Sequence, residues 1–430
     1  MTKTLLCGML LLLAGGVQAG DWPQWRGPYQ NGSANERNLP AVWSATENLV
    51  WAVDLPGPAA ATPVVAGGRV FVSSTAAGSP DLLALCFRAR DGKLLWRRQA
   101  GTVKRTPPSN TMASPSPVTD GKRVYFFYGT GELAAFEVDG TPRWSRDLAQ
   151  EYGQFSLMFG YSSSPLLHEG RLYIQVLRCQ KPYEWSGPGE WPTDSFLLAV
   201  DAATGKTLWK HARQTDARDE SQDAYTTPAL YGRGRQAKVL VAGADYVTAH
   251  DPATGEEVWR LAFNPRQRRN WRLIPTPVPG NGLVYAVTPR GRNPLFAIPA
   301  DRSGTLAWSD LAWTFERDTP DVCVPLLYRE RLYVLDDTTP VLSCLDAATG
   351  RQIWQTPLKA GGPYRASPLG ADGKVYCINE AGEVTVLAAG DTLLVLSQFT
   401  VGEGPCQATI VAAAGRLFLR TAKRLWCVGQ

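Results

Sequence analysis

One short sentence of sequence constrains this chain more than any other feature. LLAVDAATGKTLW, Leu197 to Trp209, ends an apolar strand on Asp201, turns on Thr204 and Gly205, and starts a second strand that carries Trp209. It is written again as VTAHDPATGEEVW ending at Trp259 and LSCLDAATGRQIW ending at Trp354. Looser copies end at Trp96 (LALCFRARDGKLLW) and Trp144 (LAAFEVDGTPRW). A chain that repeats one supersecondary unit must stack its copies, because no single copy can bury its own apolar face.

The rest of each unit is equally regular. A short Ser/Thr-Pro strand opens it, as at Thr62, Ser116, Ser164, Thr227, Thr276 and Ser367, with Val324 in the same place. A turn and a second strand follow, such as GRVFVSS at Gly68 or GRLYIQV at Gly170. Four antiparallel strands at a period of about 45 residues define a β-propeller blade. The chain holds seven complete units and a partial one that stops at Gln430 after its third strand. The missing strand is NLVWAVDLPG, Asn48 to Gly57, which carries Trp51. Pairing the two ends closes the ring and leaves no open edge there. The expectation is all-β, an eight-bladed β-propeller of four-stranded antiparallel blades. Seven blades is the alternative, because the seventh unit lacks the Trp between Val384 and Thr400.

Composition bounds the rest. The 430 residues are 44% hydrophobic and 19% charged, a globular balance. A net charge of +5 is mild and calls for neither nucleic acid nor an anionic membrane. Lys3, the apolar run Leu5 to Leu13 and Val17-Gln18-Ala19 read as a signal peptide over residues 1–19, with no lipobox around Cys7. Residues 20–47 form an irregular arm anchored by Trp22 and Trp25, and the propeller occupies 48–430. The chain reads as a soluble, periplasmic or secreted monomer without a transmembrane segment.

Loop lengths point to one face. Long connections recur between units, as in Gly101–Ala113, Asp147–Tyr161, His211–Tyr225 and Ala262–Leu273, and once inside a unit, Arg178–Ser195. In an up-and-down blade these emerge together, and long loops on a rigid scaffold are where function gathers. Alignment on the Ser/Thr-Pro step puts Ser114, Ser162, Tyr225, Arg365 and Gln407 in equivalent positions, with Asp223, Arg272 and Asp321 nearby. The candidate ligand site is the channel mouth, with Tyr225, Arg272, Asp321, Arg365 and Gln407. Two further surfaces stand out: the basic loop Pro265–Arg272, and Lys181–Trp191, which shows Tyr183, Trp185 and Trp191.

The Ala-x-Thr-Gly-Lys/Glu-x-x-Trp signature at Ala202–Trp209 and Ala253–Trp259 resembles the pyrroloquinoline-quinone (PQQ) type propeller repeat. That family includes quinoprotein alcohol dehydrogenases, the propeller lipoprotein of the outer-membrane barrel-assembly machinery, and many exported repeat proteins. The opening DWPQWRGP with Asn31-Gly32 looks like the last group. The resemblance implies the fold more strongly than an activity. The dehydrogenases hold PQQ between a Trp and a disulfide of two adjacent cysteines, beside a Ca²⁺ and an Asp base. No two cysteines are adjacent here, and no Ca²⁺ cluster can be picked out. PQQ with Ca²⁺ is therefore an alternative without assignable residues, and no cofactor is expected.

The Trp residues at the signature position read as blade-to-blade wedges. Cys86, Cys344 and Cys427 share a small third-strand position with Ala135, Ala199 and Ala249, and Cys377 reads as core. Cys179, Cys323 and Cys406 fall on loops or strand starts, and no disulfide framework is expected. His168, His211 and His250 are scattered, without metal-ligand spacing, and no catalytic or metal residue is assigned. The reading is a binding or scaffold propeller acting through its long-loop face and channel mouth, with no catalysis of its own. Its partner is a protein or a small polar or carbohydrate ligand of the cell envelope. A quinoprotein-like oxidoreductase with a non-standard PQQ or metal site is the first alternative, and a polysaccharide-acting propeller enzyme the second.

Overall fold

The computed structural model describes residues 20–179, 183, 194–291 and 293–429. The signal-peptide reading, Trp185 and Trp191 lie outside the described residues. Eight sheets, each built on four antiparallel strands, form a ring. Blade one runs Val64–Ala66, Arg69–Ala76, Ser79–Arg88 and Leu94–Thr102 from the channel outward. Blade eight is closed by both ends of the chain: Leu49–Asp54 lies antiparallel to Arg424–Val428, with Trp51 opposite Cys427 and Asp54 opposite Arg424. The ring has eight blades, not seven.

The signature is a turn device. In blade three the Asp201 carboxylate accepts the Thr204 amide and hydroxyl, both at 2.7 Å, and the Gly205 amide donates to the Asp201 carbonyl at 2.8 Å. The Thr204 hydroxyl holds the Asp201 carboxyl below the usual carboxylate range. Asp251 and Asp346 repeat the arrangement.

The same turn is the seat for the neighbouring Trp. A Cβ on Gly205 would lie 2.7 Å from the Trp144 ring, and one on Gly255 would lie 2.6 Å from Trp209. Both glycines also have positive φ, 75° and 80°, so the position needs glycine for its backbone and for its lack of a side chain. Wedges are pinned by the indole N–H: Trp144 to the Ala202 carbonyl at 3.1 Å, Trp354 to Gly390 at 2.9 Å, Trp51 to Ala89 at 2.9 Å, whereas the Trp259 N–H is buried without a partner among the described residues. A second-strand aromatic lies against the rings of Trp51, Trp144, Trp209 and Trp354, such as Tyr173 at 5.9 Å from Trp209.

Two blades depart from the plan. Blade five leaves its third strand, Leu295–Pro299, without the Asp-x-x-Thr-Gly turn. Gly304–Leu306 instead crosses to lie parallel to the outer strand of blade four, Glu257–Ala262, before the chain returns as Trp313–Phe315. Blade four thus has five strands, where the repeat predicts four, and the third-to-fourth connection of blade five is long. The added strand covers Trp259, which is buried, and Trp308 donates to the Ala262 carbonyl at 3.0 Å.

Blade seven has Ser397 opposite Val386, where other blades have Trp209 opposite Ala199 or Trp354 opposite Cys344. The missing ring comes from the arm. Trp43, 1% exposed, packs edge-on to Phe399 at 4.7 Å and lies 6.3 Å from Tyr376. The Ser397 hydroxyl donates to the Ala41 carbonyl alongside.

The arm, residues 20–47, runs across the face that carries the short turns. It bonds to the inner-strand ends of blades eight, one, two, three, four, six and seven, through Ala414, Val65, Thr119, Leu167, Leu230, Leu327 and Gly370. Trp22 is fully buried in this layer. Arg26 of the arm is also buried, and its guanidinium donates to the carbonyls of Pro325 and Pro368, both at 3.1 Å. Burial without a carboxylate partner pulls its pKa down to about 9.

Candidate functional site

The Ser/Thr-Pro steps open the inner strands, and their hydroxyls link one blade to the next. The Thr62 amide donates to Ser116 Oγ at 3.0 Å, Ser116 to Ser164 at 2.9 Å, Ser164 to Thr227 at 3.0 Å and Thr227 to Thr276 at 2.8 Å. Val324 donates to Ser367 at 2.9 Å, and Thr409 closes onto Thr62 at 3.3 Å. Val324 has no hydroxyl to accept in turn, so it interrupts the circle. Each link satisfies a buried strand-start amide that no ladder partner reaches.

Above this circle lies a cavity of about 760 Å³. Its walls include Thr62, Ser116, Ser164, Thr227, Ser367 and Thr409 from the circle, and Tyr225, Arg272, Arg365 and Gln407 from the mouth. Trp25 also lines it, carried in by the arm from the opposite face. The channel is thus open towards the long loops and closed by the arm.

Four of the five mouth candidates line this cavity, and the fifth, Asp321, stands behind Arg272 as its partner. Arg272 forms a bidentate pair with Asp321, at 2.9 and 3.3 Å, and its side chain is 11% exposed. Its guanidinium lies 5.7 Å from the Phe159 ring centre. Asp321 also accepts the Arg290 amide at 2.8 Å. Its own loop is held by Asp337, which accepts the amides of Asp321, Val322 and Cys323. Gln407 donates to Glu380 at 2.7 Å. Arg365 is exposed and has no ion-pair partner among the described residues. Tyr225 is 8% exposed and its hydroxyl accepts the Phe159 amide at 3.1 Å.

Asp223 does not face the ligand space. It is fully buried and accepts Cys179 N at 2.8 Å, Met158 N at 2.9 Å and the Tyr183 hydroxyl at 2.8 Å. It clamps two long loops to the rim. Burial pushes its carboxyl up to about 7, against those three donors. Tyr183, which the sequence places on an exposed loop, points inward to this clamp. The folded-state rise means that the Asp223 clamp contributes least at high pH, where the unfolded carboxyl is fully ionised.

Other candidates disperse. The seven described cysteines are all free and buried, and burial pushes Cys323 and Cys406 thiols up, the latter to about 12. Their sulfurs lie against the carbonyls of Ala366 and Glu403, at 3.5 and 3.3 Å, so neither is a nucleophile in waiting. His211 and His250 are not scattered: their rings lie 5.2 Å apart, one on the outer strand of blade three and the other on the third strand of blade four. His168 ends a strand rather than sitting in a turn. In the basic loop, Arg268 covers Trp271 at 4.2 Å and Arg269 pairs with Asp219.

The donor set speaks against a calcium-bound quinone. The one acidic side chain lining the cavity among the described residues, Glu380, is already held by Gln407. No group of three or more His, Cys, Asp or Glu among the described residues could hold a metal ion. A hard cation needs several oxygen ligands at once, and these walls offer mainly hydroxyls and cationic N–H donors. PQQ with Ca²⁺ in its familiar cradle does not fit these residues.

Fold and site together define an eight-bladed propeller with a donor-rich cavity at the mouth of a plugged channel. The chain belongs to the PQQ-like propeller-repeat family, whose profile, described as outer membrane protein assembly factor BamB, matches residues 33–176, 85–314 and 300–414. Polyvinylalcohol dehydrogenase from Sphingopyxis sp. (strain 113P3) is 23% identical over 398 residues, 83% of this chain and 54% of that protein. A second such enzyme, from Pseudomonas sp., is 25% identical over 198 residues, 44% of this chain and 28% of that protein. The chain therefore spans about half, or less, of the curated relatives it matches. Among solved structures it is similar in fold to quinohemoprotein alcohol dehydrogenase from Comamonas testosteroni, with TM-score 0.67, 13% identity, and coverage of 97% of this chain and 82% of that one. BamB from Moraxella catarrhalis gives TM-score 0.60 and 14% identity over 89% of this chain and 99% of that one. No helix among the described residues is long and apolar enough to cross a membrane.

Proposed function

We propose that this propeller is a binding module of the cell envelope that takes a small polar ligand at the channel mouth and does no catalysis of its own. One observation carries the reading: a cavity of about 760 Å³ gathers the hydroxyl circle, Arg272, Arg365 and Gln407. The nearby acids are already engaged, Asp321 by Arg272, Asp223 by two amides and a phenol, Glu380 by Gln407. Such a site favours a ligand rich in acceptor oxygens, above all one that bears a carboxylate. Thermal-shift titration with succinate, citrate and glucuronate tests it. At least one of them should raise the melting midpoint saturably, and Arg365→Ala should remove the effect. No shift with any of the three counts against the mouth as a site.

The second reading is a quinoprotein-like oxidoreductase. It is favoured by the match of polyvinylalcohol dehydrogenase over 83% of this chain. Titration of PQQ with Ca²⁺ while following Trp fluorescence and dye reduction separates the two. Saturable quenching with dye turnover replaces the non-catalytic reading.

A further inference from the structure

The short-turn face carries a cavity that the channel mouth does not use. It measures about 670 Å³ and lies between the arm and the first hairpin turns of blades five and six. The arm bonds to inner-strand ends on either side of blade five, and the turn residue Asn281 of blade five faces into the space left there.

The turn of blade six is anomalous. The two-residue first-hairpin turns of blades one, three, five, seven and eight place glycine second, with positive φ at both central residues: Gly67-Gly68 at 54° and 72°, Glu169-Gly170 at 45° and 72°, Asn281-Gly282 at 54° and 76°, Asp372-Gly373 at 51° and 69°, Ala414-Gly415 at 51° and 70°. Blade six makes the same turn with Arg329 at 51° and Glu330 at 61°. Two bulky residues in the left-handed region are costly, and a chain that writes glycine at the sibling positions has an inexpensive alternative. Both residues line the cavity. Strain kept where side chains face a cavity is a mark of a site.

The walls specify the ligand. Tyr29 is 43% exposed, and its hydroxyl accepts from the Asn35 side chain at 2.7 Å. The Arg329 guanidinium lies 5.4 Å from the Tyr328 ring centre, so one aromatic face is shielded and Tyr29 remains open. Asp372 is held by Lys374 and the Leu39 amide, and Glu36 by the Gly415 amide. Arg37, Arg329 and Glu330 leave charges of both signs at the rim, with no single field to select an ion. An open aromatic face beside planar amide, guanidinium and carboxylate groups suits a ring with apolar C–H faces and paired hydroxyls. We propose that this cavity binds a neutral oligosaccharide, with Tyr29 as the stacking platform and Arg329 and Glu330 as hydroxyl-pair ligands.

Calorimetric titration of the full chain with maltopentaose, cellopentaose and chitopentaose tests the assignment. At least one should bind saturably, and Tyr29→Ala should weaken it at least tenfold. The double variant Arg329→Asn/Glu330→Gly keeps the hairpin in its preferred chemistry. It should raise the melting midpoint while lowering sugar affinity at least tenfold. Arg365→Ala, across the disc at the channel mouth, should leave sugar binding unchanged. Failure of all three sugars to bind overturns the proposal, as does unchanged affinity in the double variant or loss of binding in Arg365→Ala.

Discussion

Blades three and seven solve the same docking problem with different pieces of chain. Blade three writes its wedge into its own fourth strand as Trp209, packed on Tyr173 and seated on Gly255 of the next blade. Blade seven writes Ser397 there and takes the ring from the arm, as Trp43 packed on Tyr376 and Phe399. The socket is a position in space, defined by a second-strand aromatic, and any segment that reaches it can fill it. The difference is in what else depends on the ring. Trp209 holds two blades, whereas Trp43 holds a blade and the plug of the channel.

The largest expected effect follows from that dependence. Trp43→Ala should cost about 3–5 kcal/mol, as for a buried aromatic truncated in a core. It should also expose the arm to limited proteolysis, which urea denaturation and protease mapping would show together. Trp209→Ala, at a half-buried site, should cost about 2–3 kcal/mol and leave the arm protected. Equal protease sensitivity in the two variants would break the distinction. A sharper version moves the ring: adding Ser397→Trp to Trp43→Ala should recover part of the lost stability, because the strand position faces the same socket.

Glycines separate backbone strain from collision. Gly255→Ala meets Trp209 at 2.6 Å and a φ of 80°, and should cost about 2–4 kcal/mol in chemical denaturation. Gly415→Ala has φ 70° with nothing within 4 Å, and should cost only about 1 kcal/mol. A similar loss at both sites would mean that the wedge contact adds little.

The smallest effect belongs to the turn acid. Asp201→Ala, at an exposed turn, should cost about 0.5 kcal/mol, the low end of the range for a lost side-chain cap. The folded-state pKa of Asp201 is lowered, so its contribution is full above the ordinary carboxylate range and disappears as pH falls through the lowered value. The variant should therefore converge with the parent in acid, as read from melting midpoints across pH.

What the sequence makes legible follows the range of each signal. Blade number and the turn device rest on neighbours in the chain, so spacing reveals them, while ring closure joins distant ends and is legible only because the last unit lacks the strand that Asn48–Gly57 supplies. Tyr225, Arg365 and Gln407 were readable because the Pro step locks their register to the inner strand. Trp43 was not, since nothing local distinguishes a ring that fills a distant socket from one that anchors a loop. The Ser/Thr of each Pro step was visible as a strand marker, but its hydroxyl acts on the preceding blade. The fifth strand of blade four is hidden for the same reason, because Gly304–Leu306 pairs outside its own repeat. Asp223 is buried by loops of blade three, which only the assembled face brings over it.

The arm imposes an order on assembly. Its docking ground is shared among seven blades, so no subset of them presents it complete. Residues 20–47 must wait for the strands that reach Gly370 and Ala414, although they precede every one of them in the chain. Loop-closure entropy falls on that final step, and it couples the two ends that Leu49–Asp54 and Arg424–Val428 join. The arm is thus a clasp that can engage only a finished ring, and its engagement reports that the ring is whole.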